Sequence, residues 1–192
     1  WGYGTAQRWY LRDIARILEK IGNILDISGN NLVFYGSSGG GFTSMMLACM
    51  LRGKAEVLNP QCYPANYHAY LVEPMKRTCL EPGGELEQVR VDPVELFRRE
   101  GFVPYIHCTQ NSGAEDDVYG QLLPFLDALK RAFPGDSPPV DVRYFFSEKG
   151  HNSWPIPQEC IQGILDTLAH QDPRLSGQGR KLPGADGFTV TC

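Results

Sequence analysis

Apolar and polar positions change period several times along this chain, and the changes mark its elements. From residue 7 to 22, Trp9, Ile14, Ile17, Leu18 and Ile21 fall close to one helical face. Arg8, Arg12, Arg16, Glu19 and Lys20 fall largely elsewhere. That spacing predicts an amphipathic helix, whose apolar stripe is the one such helices turn toward a core. Gly22 and the Ser28-Gly29-Asn30 cluster end it. Leu32-Val33-Phe34-Tyr35 is apolar without alternation, the mark of a parallel strand buried on both faces. A glycine-rich turn follows, then a helix through Leu51 carrying Met45, Met46, Leu47, Met50 and Leu51, a set suited to plastic core packing. Ala55-Glu56-Val57-Leu58 reads as the next strand.

Residues 60–91 break this rhythm. Pro60, Pro64, Pro74, Pro82 and the pair Gly83-Gly84 interrupt any period, with Tyr63, Tyr67 and Tyr70 between them. The stretch reads as a long connection, and long connections in compact domains are often functional. Asp92-Pro93 then starts a short helix, with Asp92 as N-cap and Pro93 in the first helical position. A third strand is predicted from Phe102 to Thr109, a helix from Tyr119 to Ala132, a fourth strand from Val140 to Phe146 and a last helix from Pro157 to His170. Strand and helix alternate throughout. The fold class is therefore α/β, a mostly parallel sheet with helices on both faces. One domain is expected over residues 1–171. A Gly/Pro-rich tail follows over 172–192, with Phe188–Val190 its one strand-like run.

Composition narrows the functional classes. Apolar residues make up 42% and charged residues 21% of 192, enough for one domain with a real core. The net charge is -4 and no basic run of five occurs, which argues against a nucleic-acid surface. No apolar run is long enough to span a bilayer. Cysteines stand at 49, 62, 79, 108, 160 and 192 without CxxC or Cys/His spacing, so neither a metal nor a cofactor is expected. Cys49 and Cys108 read as small buried hydrophobes, while Cys62, Cys79 and Cys192 fall in loops or the tail, free or paired. The balance points to a reducing, cytoplasmic setting.

The chemistry concentrates after the first strand. Gly36-Ser37-Ser38-Gly39-Gly40 matches G-x-S-x-G and lies between a strand and a helix, the context that pattern requires. The turn is so tight that the serine is held in a strained conformation, with its oxygen clear of the backbone. Ser38 is then a nucleophile, and the Gly39 backbone N–H an oxyanion donor. The bland alternative is a plain glycine-rich turn. A phosphate loop would need Lys where Phe42 stands, and a dinucleotide fingerprint would need Gly where Ser44 stands.

A serine needs a base. His151, in Glu148-Lys149-Gly150-His151-Asn152 after the fourth strand, lies where loops at the carboxyl ends of parallel strands form a crevice. His107 reads as a packed core histidine, His68 as a pocket-lining residue of the long connection, and His170 as a helix-end residue. An acid must hold the imidazole in one tautomer. Glu115, Asp116 and Asp117 follow the third strand, giving the order Ser, acid, His. Asp116 is favoured and Asp117 is the alternative; either could instead cap the following helix.

The segment from Leu32 to His151 resembles the second half of an α/β-hydrolase: strand, elbow, helix, strand, excursion, strand, acid loop, helix, strand, histidine loop. The resemblance covers about three quarters of the chain. Phe34-Tyr35-Gly36-Ser37-Ser38-Gly39-Gly40-Gly41-Phe42, Asn59-Pro60-Gln61 and Trp1-Gly2-Tyr3-Gly4-Thr5 also resemble hydrolase-like domains of bacterial surface-glycan and glycosyltransferase-associated proteins. These resemblances imply acyl-ester hydrolysis or acyl transfer on a small-molecule or glycan ester, through an acyl-Ser38 intermediate. Tyr63 and Tyr67 would bind substrate. A non-catalytic interaction module on the same fold is the other class that fits. Family members carry four strands before the elbow strand, and this sequence has room for one helix there. The elbow strand is thus expected at an open edge, completed by an upstream segment or a second chain. The second oxyanion donor is left unspecified.

Overall fold

The computed structural model describes residues 1–79, 86–135, 137–155 and 157–175. Its centre is a four-stranded parallel sheet in the order β1 (Val33–Ser37), β2 (Lys54–Leu58), β3 (Tyr105–Asn111), β4 (Val140–Phe145). Register runs from Val33 opposite Lys54, through Lys54 opposite Tyr105, to Ile106 opposite Val140. The helices are α1 (Tyr10–Leu25), α2 (Gly39–Met50), α3 (Ala69–Cys79), α4 (Gln88–Val91), α5 (Pro93–Glu100), α6 (Glu115–Asp117), α7 (Leu123–Ala132) and α8 (Pro157–Ala169). A π-helical stretch, Val118–Leu122, joins α6 to α7.

Helix α2 packs on β1 and β2, with α5 and α1 against it, while α8 packs against β1, β2 and β3. The methionines of α2 are core, as expected: Met45 and Met46 are fully buried beside Phe42. Phe97 of α5 meets Phe125 of α7 edge to face, with centroids 6.4 Å apart. Asp92 caps α5 by accepting from the Val94 and Glu95 amides.

Beneath α8 lies a buried polar group that pattern reading did not anticipate. The Lys54 ammonium donates to the Leu168 and His170 carbonyls at 2.8 and 2.7 Å, satisfying the carboxyl end of α8. Glu56, fully buried in β2, accepts from Thr167 at 2.7 Å and pairs with His107 at 2.6 Å. His107 is thus partly buried in the sheet, with its ring nitrogen held by the Glu56 carboxylate.

Several expectations need correction. The stretch 60–91 contains α3 and α4; Pro74 inside α3 disguised it, because proline removes a helical N–H. Pro82, Gly83 and Gly84 lie outside the described residues. The third strand runs two residues further, to Asn111. In α1 the buried residues are Leu11, Ala15 and Gly22, while Ile14, Ile17 and Ile21 face outward, Ile17 with 58% of its surface exposed. The inward stripe is thus Leu11, Ala15 and Gly22, and the isoleucines lie outside it. Strand β1 is only partly buried, in contrast to β2, because β1 forms an edge and pairs on one side alone. Cys62 is buried in its loop and, like Cys49, Cys79, Cys108 and Cys160, carries a free thiol. Residues 172–175 lie against the body: Asp172 exchanges two hydrogen bonds with Asn30, and Leu175 is buried. The run Phe188–Val190, with Cys192, lies outside the described residues.

Candidate active site

The turn between β1 and α2 is built by steric necessity. Ser38 has φ 53° and ψ −126°, a strained backbone for a residue with a side chain. Three hydrogen bonds over-determine it: its N–H donates to Leu58, and its carbonyl accepts from Gly41 and Gln61. A Cβ on Gly36 would strike the Gly40 carbonyl and stand 2.6 Å from Ser44 Oγ, so only glycine fits there. Gly40, the other glycine of the motif, has open space around it. Gly41 takes the packing role instead, since a Cβ there would meet the Pro60 Cβ at 2.9 Å.

The structure brings Ser38, His151 and an aspartate into one line. Ser38 Oγ lies 2.9 Å from His151 Nε2, and His151 Nδ1 lies 2.6 Å from Asp117 Oδ2. The aspartate is Asp117, not the favoured Asp116. Asp117 is buried, while Asp116 and Glu115 are exposed. Gly39 opens α2, so its N–H has no acceptor within the helix and is available at the site.

Two asparagines, Asn111 and Asn59, to which the sequence assigned no role in the site, hold the acid and histidine loops together. Asn111, at the end of β3, accepts from the Gly113 and Ser147 amides at 3.0 and 2.8 Å. It donates to the Ser147 and Gly150 carbonyls at 2.9 and 2.8 Å. Asn59, at the end of β2 with φ 40°, accepts from the Asn111 amide at 2.7 Å and donates to the His151 and Ser153 carbonyls. The sequence signals were the word Asn59-Pro60-Gln61 directly after an apolar strand and, for Asn111, a polar residue at a strand end. Gln121, in the π-helical stretch, clamps both backbone groups of Tyr63, at 2.7 and 3.1 Å. π-Helical turns recur at functional sites, and this one follows the aspartate directly.

One cavity adjoins the line, and a second lies next to the first. The first, about 860 Å³, is lined by Tyr67, His68, Asp116, Asp117, Tyr119 and His151. The other, about 780 Å³, has Tyr3, Tyr63, Val72, Met75 and Val91 on its walls, and shares Asn66 with the first. Of the two tyrosines expected to bind substrate, Tyr67 therefore stands beside His151, 5.9 Å between ring centroids, and Tyr63 lines the neighbouring space. Trp154 also stands edge-on to His151, with centroids 6.3 Å apart. Among the described residues no group of three His, Cys, Asp or Glu side chains is gathered closely enough to hold a metal ion. No helix among them is long and apolar enough to cross a membrane.

Comparison with solved structures places this architecture. Esterase B from Lactobacillus rhamnosis, solved with a tributyrin phosphonate, superposes with a TM-score of 0.61 over 92% of the chain at 15% identity. The fold is α/β-hydrolase-like. Carboxyl esterase 2 from Tuber melanosporum matches with a TM-score of 0.51 over 83% of the chain at 14% identity. This α/β-hydrolase-like chain spans 63% of the first enzyme's length and 55% of the second's. No protein-family model and no curated protein sequence matches it. The resemblance to surface-glycan-associated domains gains no support from these comparisons.

Proposed function

We propose that this chain carries the catalytic half of a serine esterase or acyltransferase. The observation that supports this most is the unbroken line from Ser38 Oγ through His151 to Asp117, at 2.9 and 2.6 Å. Asp117 accepts from Nδ1–H, which leaves Nε2 free to accept the serine proton. Ser38 Oγ attacks the ester carbonyl carbon as its proton passes to Nε2. The carbonyl oxygen becomes an oxyanion facing the Gly39 N–H. The carbon–alkoxide bond then breaks, and Nε2–H protonates the leaving alcohol. Water, or a hydroxyl of an acceptor such as a sugar, gives its proton to Nε2 and attacks the acyl-serine. The acyl carbon–Oγ bond then breaks as Nε2–H returns its proton to Ser38 Oγ, which releases the acyl product and regenerates Ser38.

The alcohol or acyl portion of a small ester would sit in the cleft beside Tyr67 and His151. The open β1 edge and the outward isoleucine stripe of α1 are covered by an upstream segment or a second chain, in keeping with the greater length of the similar esterases. A fluorophosphonate probe, with p-nitrophenyl esters as substrates, tests the reading. Ser38 should be labelled, and Ser38→Ala should lose both labelling and turnover while keeping its melting temperature. Undiminished turnover in that variant would remove Ser38 from the mechanism. Ser37→Ala should stay within about threefold of wild type, as expected for a residue outside the reacting line.

A further inference from the structure

The Gly39 N–H supplies one oxyanion donor, and acyl-transfer sites ordinarily present two. We infer that the indole N–H of Trp1 is the second. The inference rests on the esterase reading above and deepens it.

Three observations converge. First, Trp1 Nε1 is buried and has no hydrogen-bond partner among the described residues. An indole nitrogen only donates, and a buried donor left empty costs stability, so it is a donor awaiting an acceptor. Second, it stands at the nucleophile turn. Nε1 lies 3.2 Å from the point a Cβ on Gly39 would occupy. Standard backbone geometry puts a Cβ about 2.5 Å from its own nitrogen, so Trp1 Nε1 is within about 5.7 Å of the Gly39 nitrogen. Two donors sharing one oxygen at about 2.9 Å each stand up to about 5.8 Å apart, so the separation is within the span that one shared oxygen allows.

Third, the indole is held rather than loose. Its ring stacks on Tyr3, with centroids 6.3 Å apart and planes 12° apart, and meets Tyr67 edge-on at 5.9 Å. Tyr3 is itself fixed edge-on against the core residue Phe42. The path of Trp1-Gly2-Tyr3-Gly4 demands its glycines. Gly2 and Gly4 have φ of 68° and 79°, and a Cβ on Gly2 would stand 2.7 Å from Leu11, while one on Gly4 would strike the Arg8 carbonyl. A donor fixed before reaction needs no reorganisation when charge develops. As Ser38 Oγ bonds to the carbonyl carbon, both N–H groups shorten onto the oxygen. No proton leaves either of them, and both bonds relax when the carbonyl re-forms.

The test replaces the donor and keeps the ring. Trp1→Phe, and Trp1 replaced by benzothienylalanine, the sulfur isostere of tryptophan, both remove the N–H. With p-nitrophenyl butyrate, kcat should fall roughly 100-fold, with KM within about twofold. A trifluoromethyl ketone forms an oxyanionic adduct with the serine, and its affinity should fall by the same factor. Gly39→Ala keeps the backbone N–H but presses on the indole, and should lose part of the same factor. The isostere covers the case in which phenylalanine packs badly. If the isostere keeps kcat within about threefold of wild type, or raises KM alone with ketone affinity unchanged, the assignment is overturned. If Ser38→Ala still turns over the ester, the esterase reading fails, whatever Trp1 does.

Discussion

Asp116 and Asp117 are adjacent in the chain, yet one is solvent-exposed and the other faces His151. A single residue turns a helix by about 100°, so the choice between them depends on how α6 is set against the histidine loop. Exchanging Asp117 for Asn keeps the shape but lets the amide stabilise the wrong imidazole tautomer. We expect a kcat loss of roughly 10³–10⁴-fold for Asp117→Asn, and less than about threefold for Asp116→Asn. Steady-state ester hydrolysis by the two variants decides it, and equal losses would remove Asp117 from its role. The glycines carry a parallel contrast. Gly36→Ala should prevent the turn from forming, while Gly40→Ala should fold and stay active, because its Cβ meets nothing.

At the scale of elements, the reacting line depends on two loops arriving together. Asn111 makes four hydrogen bonds through its side chain, tying Gly113 on the acid side to Ser147 and Gly150 on the histidine side. Asn111→Ala would strand buried backbone groups, each costing about 1–3 kcal/mol. We expect a lower melting temperature and a kcat loss with little change in KM. Normal kcat would show that the loops hold their own geometry. A second device joins the sheet to α8. The hydrogen bond that His107 donates to Glu56 raises the His107 pKa above its ordinary 6.5; burial opposes this, the Glu56 charge adds to it, and Asp141 and Arg143 act in opposite senses. A raised pKa in the folded state means that protonated His107 favours folding. The contribution is full below about pH 6.5 and fades as pH rises through the folded value. His107→Gln should therefore lower the melting temperature most near about pH 6, and progressively less toward about pH 9. A deficit that does not vary with pH would exclude the ion pair as its source.

At the scale of the whole molecule, several apolar surfaces lie open among the described residues. Among the described residues strand β1 is an unpaired edge of the sheet, with Tyr35 half exposed on it. Ile14, Ile17, Ile21 and Ile24 run along the outer side of α1, and Ile161, Leu165 and Leu168 are exposed on α8. An apolar strand edge beside apolar helix faces is a template for association. Residues 1–192 alone should therefore sediment as oligomers or aggregate. Charged substitutions at Ile17 and Ile21 should reduce that association without unfolding the domain. A monodisperse monomer with full activity would mean that the sheet closes by another route.

The order of strands and helices, the Ser38 turn and the His151 loop were legible in the sequence, because each rests on local chemistry. Period, glycine sterics and the loop after a strand act within a few residues of one another. Helix α3 was hidden for the same reason: Pro74 speaks locally against a helix that its surroundings nevertheless impose. What tertiary structure alone decided is whatever depends on two distant segments meeting. That includes Asp117 over Asp116, the Asn59–Asn111 ties between loops, the burial of Glu56 against His107 and Thr167, and the outward turn of the α1 isoleucines. The period of α1 shows that it is amphipathic; that the stripe of Leu11, Ala15 and Gly22 rather than the isoleucines faces inward is decided by what the fold packs against it.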